Sequence, residues 1–440
     1  MSVRSRIGIG IGIGMCAMVS LLGSNVVFAE GHAEKGPGAS IWKTLGFQVA
    51  GALETSYTQN FNNPNTNLNQ LRSFYTQANS FVPNVAQILI ERPAKVGSAV
   101  DRLGFRARVS FGPNARFSRA RTNYQPGTDN NELDLDELYA EYIVPIGKGL
   151  KIQAGEIRSL IGYESISSWE NPHFSHSFAF AMAQPFSETG IVLTYPFTSW
   201  ATAAVGLANG WDNIEDNNRG KTFTWNLALT PHEKFWITFY GSYGAEQSNG
   251  NAFDGTASTG ICTSGTTGCD PRAKRTVVGS IIMIKPTDRD TLIVEPYYGN
   301  EGHDSESSRS HNARWNALIA QYMHDFNDQQ QPHAFSLHIR GEIFEDAGGA
   351  RSCIGGINFN GGANTCAGSG GGFLHAEAVN HLIPNLTLWE GTFTLQYKPT
   401  PSLITRAEFR YDKADRNVFL RGGKATNNQQ TLGFNVVYLF

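Results

Sequence analysis

The chain has 440 residues, enough for one large core or two to three domains, and its 17% charged and 11% aromatic side chains and 47 glycines suit either a membrane barrel or a secreted all-β protein. A net charge of −3 excludes the broadly basic surface that a nucleic-acid partner requires. Beyond the N-terminal apolar run no stretch approaches the roughly 18 uncharged apolar residues of a membrane helix, so an exported chain of this kind is periplasmic, secreted or a barrel.

The start reads as an export signal. Arg4 and Arg6 precede an apolar run from Ile7 to Leu22, and Val27-Phe28-Ala29 closes it with small residues where a signal peptidase cuts. Residues 1–29 are therefore expected to be removed and 30–43 to form a short polar periplasmic lead-in, leaving 44–440 as the folded body. Cys16 lacks the residues of a lipidation box before it.

From Thr44 onward one side of the chain turns apolar at every second residue. Phe47, Val49, Leu53 and Tyr57 alternate with Gln48, Ala50, Ala52, Glu54 and Ser56, the pattern of a strand with one greasy face. Strands are likewise expected near 82–92, 103–111, 134–145, 150–158, 188–196, 200–208, 222–230, 234–244, 273–285, 291–299, 312–325, 334–345, 386–398, 402–412 and 430–440. The segment 277–284 is apolar on both faces, so its register is open by one residue. Short connections rich in Pro or Asp, such as 196–199, 231–234 and 399–401, alternate with long ones, including 61–80, 112–133, 159–187, 245–272 and 346–384. Strict short–long alternation is what an outer-membrane barrel shows, with short periplasmic turns and long outer loops, and a sandwich has no reason for it.

The expected fold is thus an all-β transmembrane antiparallel up-and-down barrel of about 16 strands, with both termini in the periplasm; a barrel of that size is wide enough for an aqueous channel. In the last segment Leu432, Phe434, Val436, Tyr438 and Phe440 face one way and Thr431, Gly433 and Asn435 the other. Such a strand is hazardous as a soluble edge and at home against lipid, where pairing with the first strand removes the edge.

Four cysteines follow the signal: Cys262, Cys269, Cys353 and Cys366, in two close pairs within Gly/Ser/Thr/Asn-rich loops. In an oxidising compartment they read as two local disulfides, and neither pair has the spacing of a metal site.

Several stretches resemble the outer-membrane β-barrel porins of the OmpL-like group. These are LGFQVAGALETSY at 45–57; LDLDELYAEYIVPIGKGLKIQAGEIRSLIGYES from 133, followed by Glu170-Asn171-Pro172 and QPFSETGIVLTYPF; RGEIFEDAGG at 340–349; and TLQYKPTPSLITRAEFRYDKAD at 394–415. The resemblance spans nearly the whole body and implies an outer-membrane channel, a barrel inserted from the periplasm by the assembly machinery and surrounded by outer-membrane lipid. A terminal Phe440 resembles the recognition signal for that insertion. The resemblance implies passive passage of small hydrophilic solutes or ions; general porins are commonly trimers, which leaves a homotrimer open. It names no substrate, and no cofactor or metal is expected.

A porin's selectivity comes from pore width, lumen charges and any loop folded inward. The connection 159–187 is the candidate constriction, because Tyr163, Trp169, Phe174, Phe178, Phe180 and Phe186 would gain little in an outer loop facing water. It carries Glu164 and Glu170, acids that an inward loop of a general porin sets opposite a basic ladder. Arg106 and Arg108 share the polar face of the third strand, Arg116, Arg119 and Arg121 follow, and Arg406 and Arg410 flank Glu408 on the fifteenth. Charges on the lipid face cost about 2 to 4 kcal/mol at mid-membrane, so alternation sends these inward. Whether they form an eyelet or are hydrated wall charges paired with Glu54, Glu342 or Glu408 is open at this point.

No G-x-S-x-G, H-E-x-x-H, P-loop or dinucleotide fingerprint occurs, and no catalytic residue is assigned. His173 and His176 alone are too few for a metal site and read as structural. Alternative readings are a plugged barrel acting as surface anchor or adhesin, a sheath for a partner protein, and a lipid hydrolase with its site on the outer wall.

Overall fold

A computed structural model describes residues 46–118, 132–216, 218–246, 274–301, 313–347, 351 and 386–440. The export signal and lead-in, Arg119, Arg121, Cys262, Cys269, Cys353 and Cys366 lie outside the described residues.

Strands occur where the alternation predicts them. The first half comprises β1 (Gln48–Asn60), β2 (Ser80–Arg92), β3 (Leu103–Phe111), β4 (Leu133–Val144), β5 (Leu150–Arg158), β6 (Ser187–Pro196), β7 (Ala201–Ala208) and β8 (Thr222–His232). The second comprises β9 (Phe235–Ala245), β10 (Lys274–Ile284), β11 (Asp290–Glu301), β12 (Ala313–Asp325), β13 (Ala334–Asp346), β14 (Leu386–Thr400) and β15 (Leu403–Ala414). Two three-residue strands, β16 (Phe419–Arg421) and β17 (Lys424–Thr426), make a small hairpin inside the last long connection, before β18 (Asn428–Leu439). Every neighbouring pair in the large sheet is antiparallel, and β1 pairs with both β2 and β18, so 16 strands close into a barrel. Closure satisfies every strand edge inside the membrane, which lipid cannot do.

The period-two pattern decides which face meets lipid. On β18 and the residue after it, Phe434, Val436, Tyr438 and Phe440 are about half exposed, whereas Thr431, Gly433, Asn435 and Val437 are buried inside. Phe81, Ile88, Ile90, Val205, Leu207, Leu318, Phe393 and Leu395 continue the outer apolar belt around the wall.

The inner face is not uniform. Along β1 to β4, β13 to β15 and β18 it carries Glu, Asp, Arg, Asn and Thr. On β9 to β12 it carries Tyr240, Val277, Ile281, Met283, Ile293, Tyr297, Trp315 and Ile319, which belong to one apolar cluster. This explains the two-faced greasiness of 277–284. Val278 and Ile284 face lipid, while Val277, Ile281 and Met283 face an apolar core inside the barrel. That core is completed by inward loops. Leu71, Phe74 and Tyr75 come from 61–79, Phe117 from helix α1 (Ala115–Ser118), Phe174 to Phe186 from 159–187, and Val418 and Phe419 from the last connection. The circumference alone leaves the interior to water; these loops occupy part of it.

Candidate channel constriction

After β5 the chain turns into the lumen. Residues 159–187 form irregular coil, a 3-10 turn Ser168–Glu170 and one short helix, α2 (Phe178–Met182), capped by the Ser177 hydroxyl accepting from Phe180 N at 3.0 Å. Irregular backbone away from water must find its hydrogen bonds elsewhere, and here the wall supplies them. Glu342 on β13 accepts from Phe178 N and Ala179 N at 2.7 and 2.6 Å; Glu408 on β15 accepts from Phe174 N and Ser175 N at 2.9 and 3.2 Å. Glu295 on β11 accepts from Tyr163 N at 2.9 Å. In the opposite sense Arg406 donates to Ser168 O and Asn171 O at 3.1 and 3.0 Å, and Arg340 to Ser175 O at 2.8 Å. Glu54 on β1 ties three elements together, accepting from Tyr75 Oη at 3.0 Å, from Asn435 Nδ2 on β18 at 2.6 Å and from the Ser168 hydroxyl.

Aromatic packing seats the same loop. Phe174 occupies the space a side chain on Gly433 would need, and Phe178 lies under the Arg410 guanidinium at 4.9 Å. Phe180 stacks between His176 and Phe186, with ring centres 4.4 and 4.9 Å away. His176 is covered further by Phe74, and its Nε2 lies 2.8 Å from Ser165 O while Nδ1 has no hydrogen-bond partner among the described residues. Burial pushes the His176 imidazole down to about 4, against the pull of Glu164; His173 is pushed well below its usual range for the same reason.

Two charged clusters result. In the first, Arg108 Nε meets Glu137 Oε2 at 2.7 Å and its Nη1 meets Glu170 Oε1 at 3.1 Å; Arg158 Nη1 takes the other oxygen of Glu170 at 2.7 Å. Arg106 binds Glu91 at 2.6 Å and lies 3.6 Å from Glu137. Burial would raise the Glu170 carboxyl, but Arg158 and Arg108 outweigh it and hold it at about 2. In the second cluster Arg340 joins Glu164 at 2.6 Å to Glu390 at 2.8 Å, and Arg410 and Arg72 share Asp412 at 2.6 and 3.1 Å.

Of the sequence candidates, Arg106, Arg108 and Glu170 come together in the first cluster, and Glu164 and Arg410 belong to the second. Arg406 and Glu408 hold loop backbone. Arg116 stands apart on α1, its Nε donating to Pro113 O at 3.3 Å. Arg106, Arg108 and Arg410 are ion-paired, with Glu91, Glu137, Glu170 and Asp412, while Glu54, Glu342 and Glu408 accept loop hydrogen bonds. Sequence reasoning missed Arg158, Glu137, Arg340 and the inward course of 61–79. For that loop the signal was present: Leu68, Leu71, Phe74 and Tyr75 sit in an Asn-rich connection that has no other use for them.

Between loop and wall lies a cavity of about 130 Å³, lined by Arg106, Arg108, Glu137, Lys151 and Arg158 on one flank and by Tyr163, Phe180, Phe186, Ile281 and Met283 on another. The lining sets charged and apolar side chains against the same small space.

A family model described as "Putative beta-barrel porin-2, OmpL-like" matches residues 46–440. Among solved structures the fold is similar to OprB of Pseudomonas putida, with a TM-score of 0.54 at 9% identity, covering 92% of this chain and 96% of that one. It is also similar to an anion-selective porin from Comamonas acidovorans, TM-score 0.52 at 7% identity over 90% and 99% of the two chains. The trimer form of OmpT from Vibrio cholerae gives 0.52 at 9% identity over 90% and 99%. No curated protein matches by sequence. At such identities the structural likeness concerns the fold.

Proposed function

This chain belongs to the β-barrel porin family of OmpL-like type described above, and from that membership we propose that it lets small hydrophilic solutes and ions diffuse passively across the bacterial outer membrane. Family and fold point to a channel and not to a catalyst. The observation that carries the reading is the inward loop 159–187, seated on the wall by carboxylate-to-backbone hydrogen bonds with a charge-lined cavity left beside it. Arg106, Arg108, Arg158 and Glu170 are the selectivity residues of this reading, with Glu164, Arg340, Arg406, Glu408 and Arg410 positioning the loop against them. A preference for anions is supported by Lys151, which lines the cavity and makes no ion pair among the described residues.

The same reading includes export by a signal at 1–29, insertion by the barrel assembly machinery with Phe440 as its recognition residue, and local disulfides Cys262–Cys269 and Cys353–Cys366. A homotrimer within the lipid is supported by the trimer form recorded for OmpT. Purified protein in a planar lipid bilayer tests the proposal: discrete conductance steps with a reversal potential displaced toward the anion are expected, and a lack of steps overturns it.

A further inference from the structure

The cavity beside the loop combines features that a passage for simple ions does not need. Its charged flank holds cations from β3 and β5: Lys151 at the level of Ile143, Arg106 at the level of Tyr139, and Arg108 at that of Glu137. The three arginines there are matched by Glu91, Glu137 and Glu170, and the remaining acid of the lining, Glu164, is held by Arg340 outside it. Lys151 feels Glu141 on the neighbouring strand but makes no ion pair among the described residues, and it is the cation left to meet a solute. The other flank is apolar, with Ile161, Phe180, Phe186, Ile281 and Met283. Within it lie two buried polar atoms that have no hydrogen-bond partner among the described residues, Asn226 Oδ1 and Thr238 Oγ1; their residues are 4% and 1% exposed. Orphaned buried polar atoms in a cavity want a partner from whatever fills it. A space of about 130 Å³ is the size that accepts one benzene-like ring.

We infer that this cavity is a binding subsite for small amphiphilic carboxylates, monoanions with an aromatic or short alkyl body and a hydroxyl group at the far end. The carboxylate meets Lys151, the body lies against Ile281 and Met283, and the hydroxyl exchanges hydrogen bonds with Asn226 and Thr238. The inference rests on the channel reading and narrows its solutes to a class. A subsite of this kind concentrates the permeant at the constriction, at the cost of slowing ions that pass with it.

The test uses the full chain in a planar bilayer in potassium chloride, with sodium acetate, benzoate or 4-hydroxybenzoate added. Benzoate should interrupt the chloride current at a roughly tenfold lower concentration than acetate, as partial burial of a ring requires, and 4-hydroxybenzoate at a lower one again. Lys151→Gln should weaken interruption by all three; the isosteric Thr238→Val should weaken 4-hydroxybenzoate and leave benzoate as it was. Equal interruption by the three carboxylates in the unmodified protein, with conductance steps intact, overturns the subsite but not the channel. Absence of steps overturns the channel reading, and the subsite with it. If a variant fails to assemble, the ranking of the three carboxylates on the unmodified chain decides.

Discussion

Phe440 and Gly51 close the barrel as a matched pair. Gly51 N donates to Phe440 O at 2.8 Å and Phe440 N to Gly51 O at 3.0 Å, while the Phe440 ring lies where Gly51 would carry a side chain, 2.4 Å from the place of its Cβ. The seam between β1 and β18 thus ends on a ring that covers bare backbone. Unpaired backbone groups facing hydrocarbon cost several kcal/mol each, so a change that breaks these two backbone bonds opens an expensive edge. When the purified chain is refolded into detergent micelles, with no assembly machinery to read Phe440, Gly51→Val is expected to lower the folded fraction more than Phe440→Ala does, because the valine also pushes the strand ends apart. Heat-modifiable migration of unboiled samples on a gel reads that fraction, and equal yields for both variants and the native chain would contradict the closure argument.

A second glycine plays the corresponding part inside. Gly433 on β18 leaves the notch into which Phe174 of the loop inserts, 2.4 Å from where a Cβ would be. Phe174 is fully buried and belongs to the lumen core, so Phe174→Ala removes about 3 kcal/mol of loop seating. Gly433→Leu acts in the same direction by filling the notch from the wall side. Both variants should give larger and noisier single-channel currents while the barrel remains folded. Currents of native size and quietness in either variant would mean that this contact does not fix the loop.

Much of this was legible in the chain because lipid imposes a rule on every strand. Phe434, Val436 and Tyr438 had to face outward together, and the period-two reading therefore located all 16 barrel strands and their order. What it could not supply was the partner of each inward residue. Arg108 finds Glu137 across a β-strand pair with a register shift between Arg108 and Ser110, and Glu170 from a loop 62 residues further on. Spacing along one strand says nothing about either. Arg340 was passed over because the tripeptide Arg340-Gly341-Glu342 reads as an ordinary wall strand; its role appears only when Glu164 arrives from the loop at 2.6 Å. The apolar inner face of β10 was visible as a run without alternation, and its meaning needed the loops that pack on it.

Removing the arginines of the first cluster should do more than delete positive charge. Arg108 is shared between Glu137 and Glu170, and Arg106 holds Glu91, so the double change Arg106→Ser, Arg108→Ser leaves Glu137 and Glu170 with Arg158 as their remaining close cation and Glu91 without its partner. Truncating one side of a buried ion pair typically costs 3–5 kcal/mol, and the cluster is expected to relieve this by taking up cations from solution. The reversal potential in a salt gradient should therefore move past the loss of anion preference toward cation preference. Arg108→Lys should restore part of the native value, although its single ammonium cannot serve two carboxylates as the guanidinium fork does. An unchanged reversal potential in the double variant would remove Arg106 and Arg108 from the selectivity residues.

Acid should loosen the loop through His176. Its ring is packed between Phe180 and Phe74, its Nδ1 has no hydrogen-bond partner among the described residues, and burial holds it down at about 4 despite the nearby Glu164. Once the loop leaves the wall, the imidazole returns to an ordinary value of ~6.5 and binds a proton more readily. Seating is thus unaffected above about pH 6.5, weakens as the pH falls from there to about 4, and below that carries the full penalty of about 3 kcal/mol. His173, also held well below its usual range by burial, adds to the effect in the same direction. Glu170 does not compete in this window, because Arg158 and Arg108 keep it ionised down to about 2. Single-channel records between pH 7.5 and 4.5 should show current noise rising with acidity in the native protein. In His176→Phe, which keeps the stacking and cannot take a proton, that rise should shrink, leaving the share due to His173. A native response flat over this range, or one that His176→Phe leaves whole, would place the acid sensitivity elsewhere.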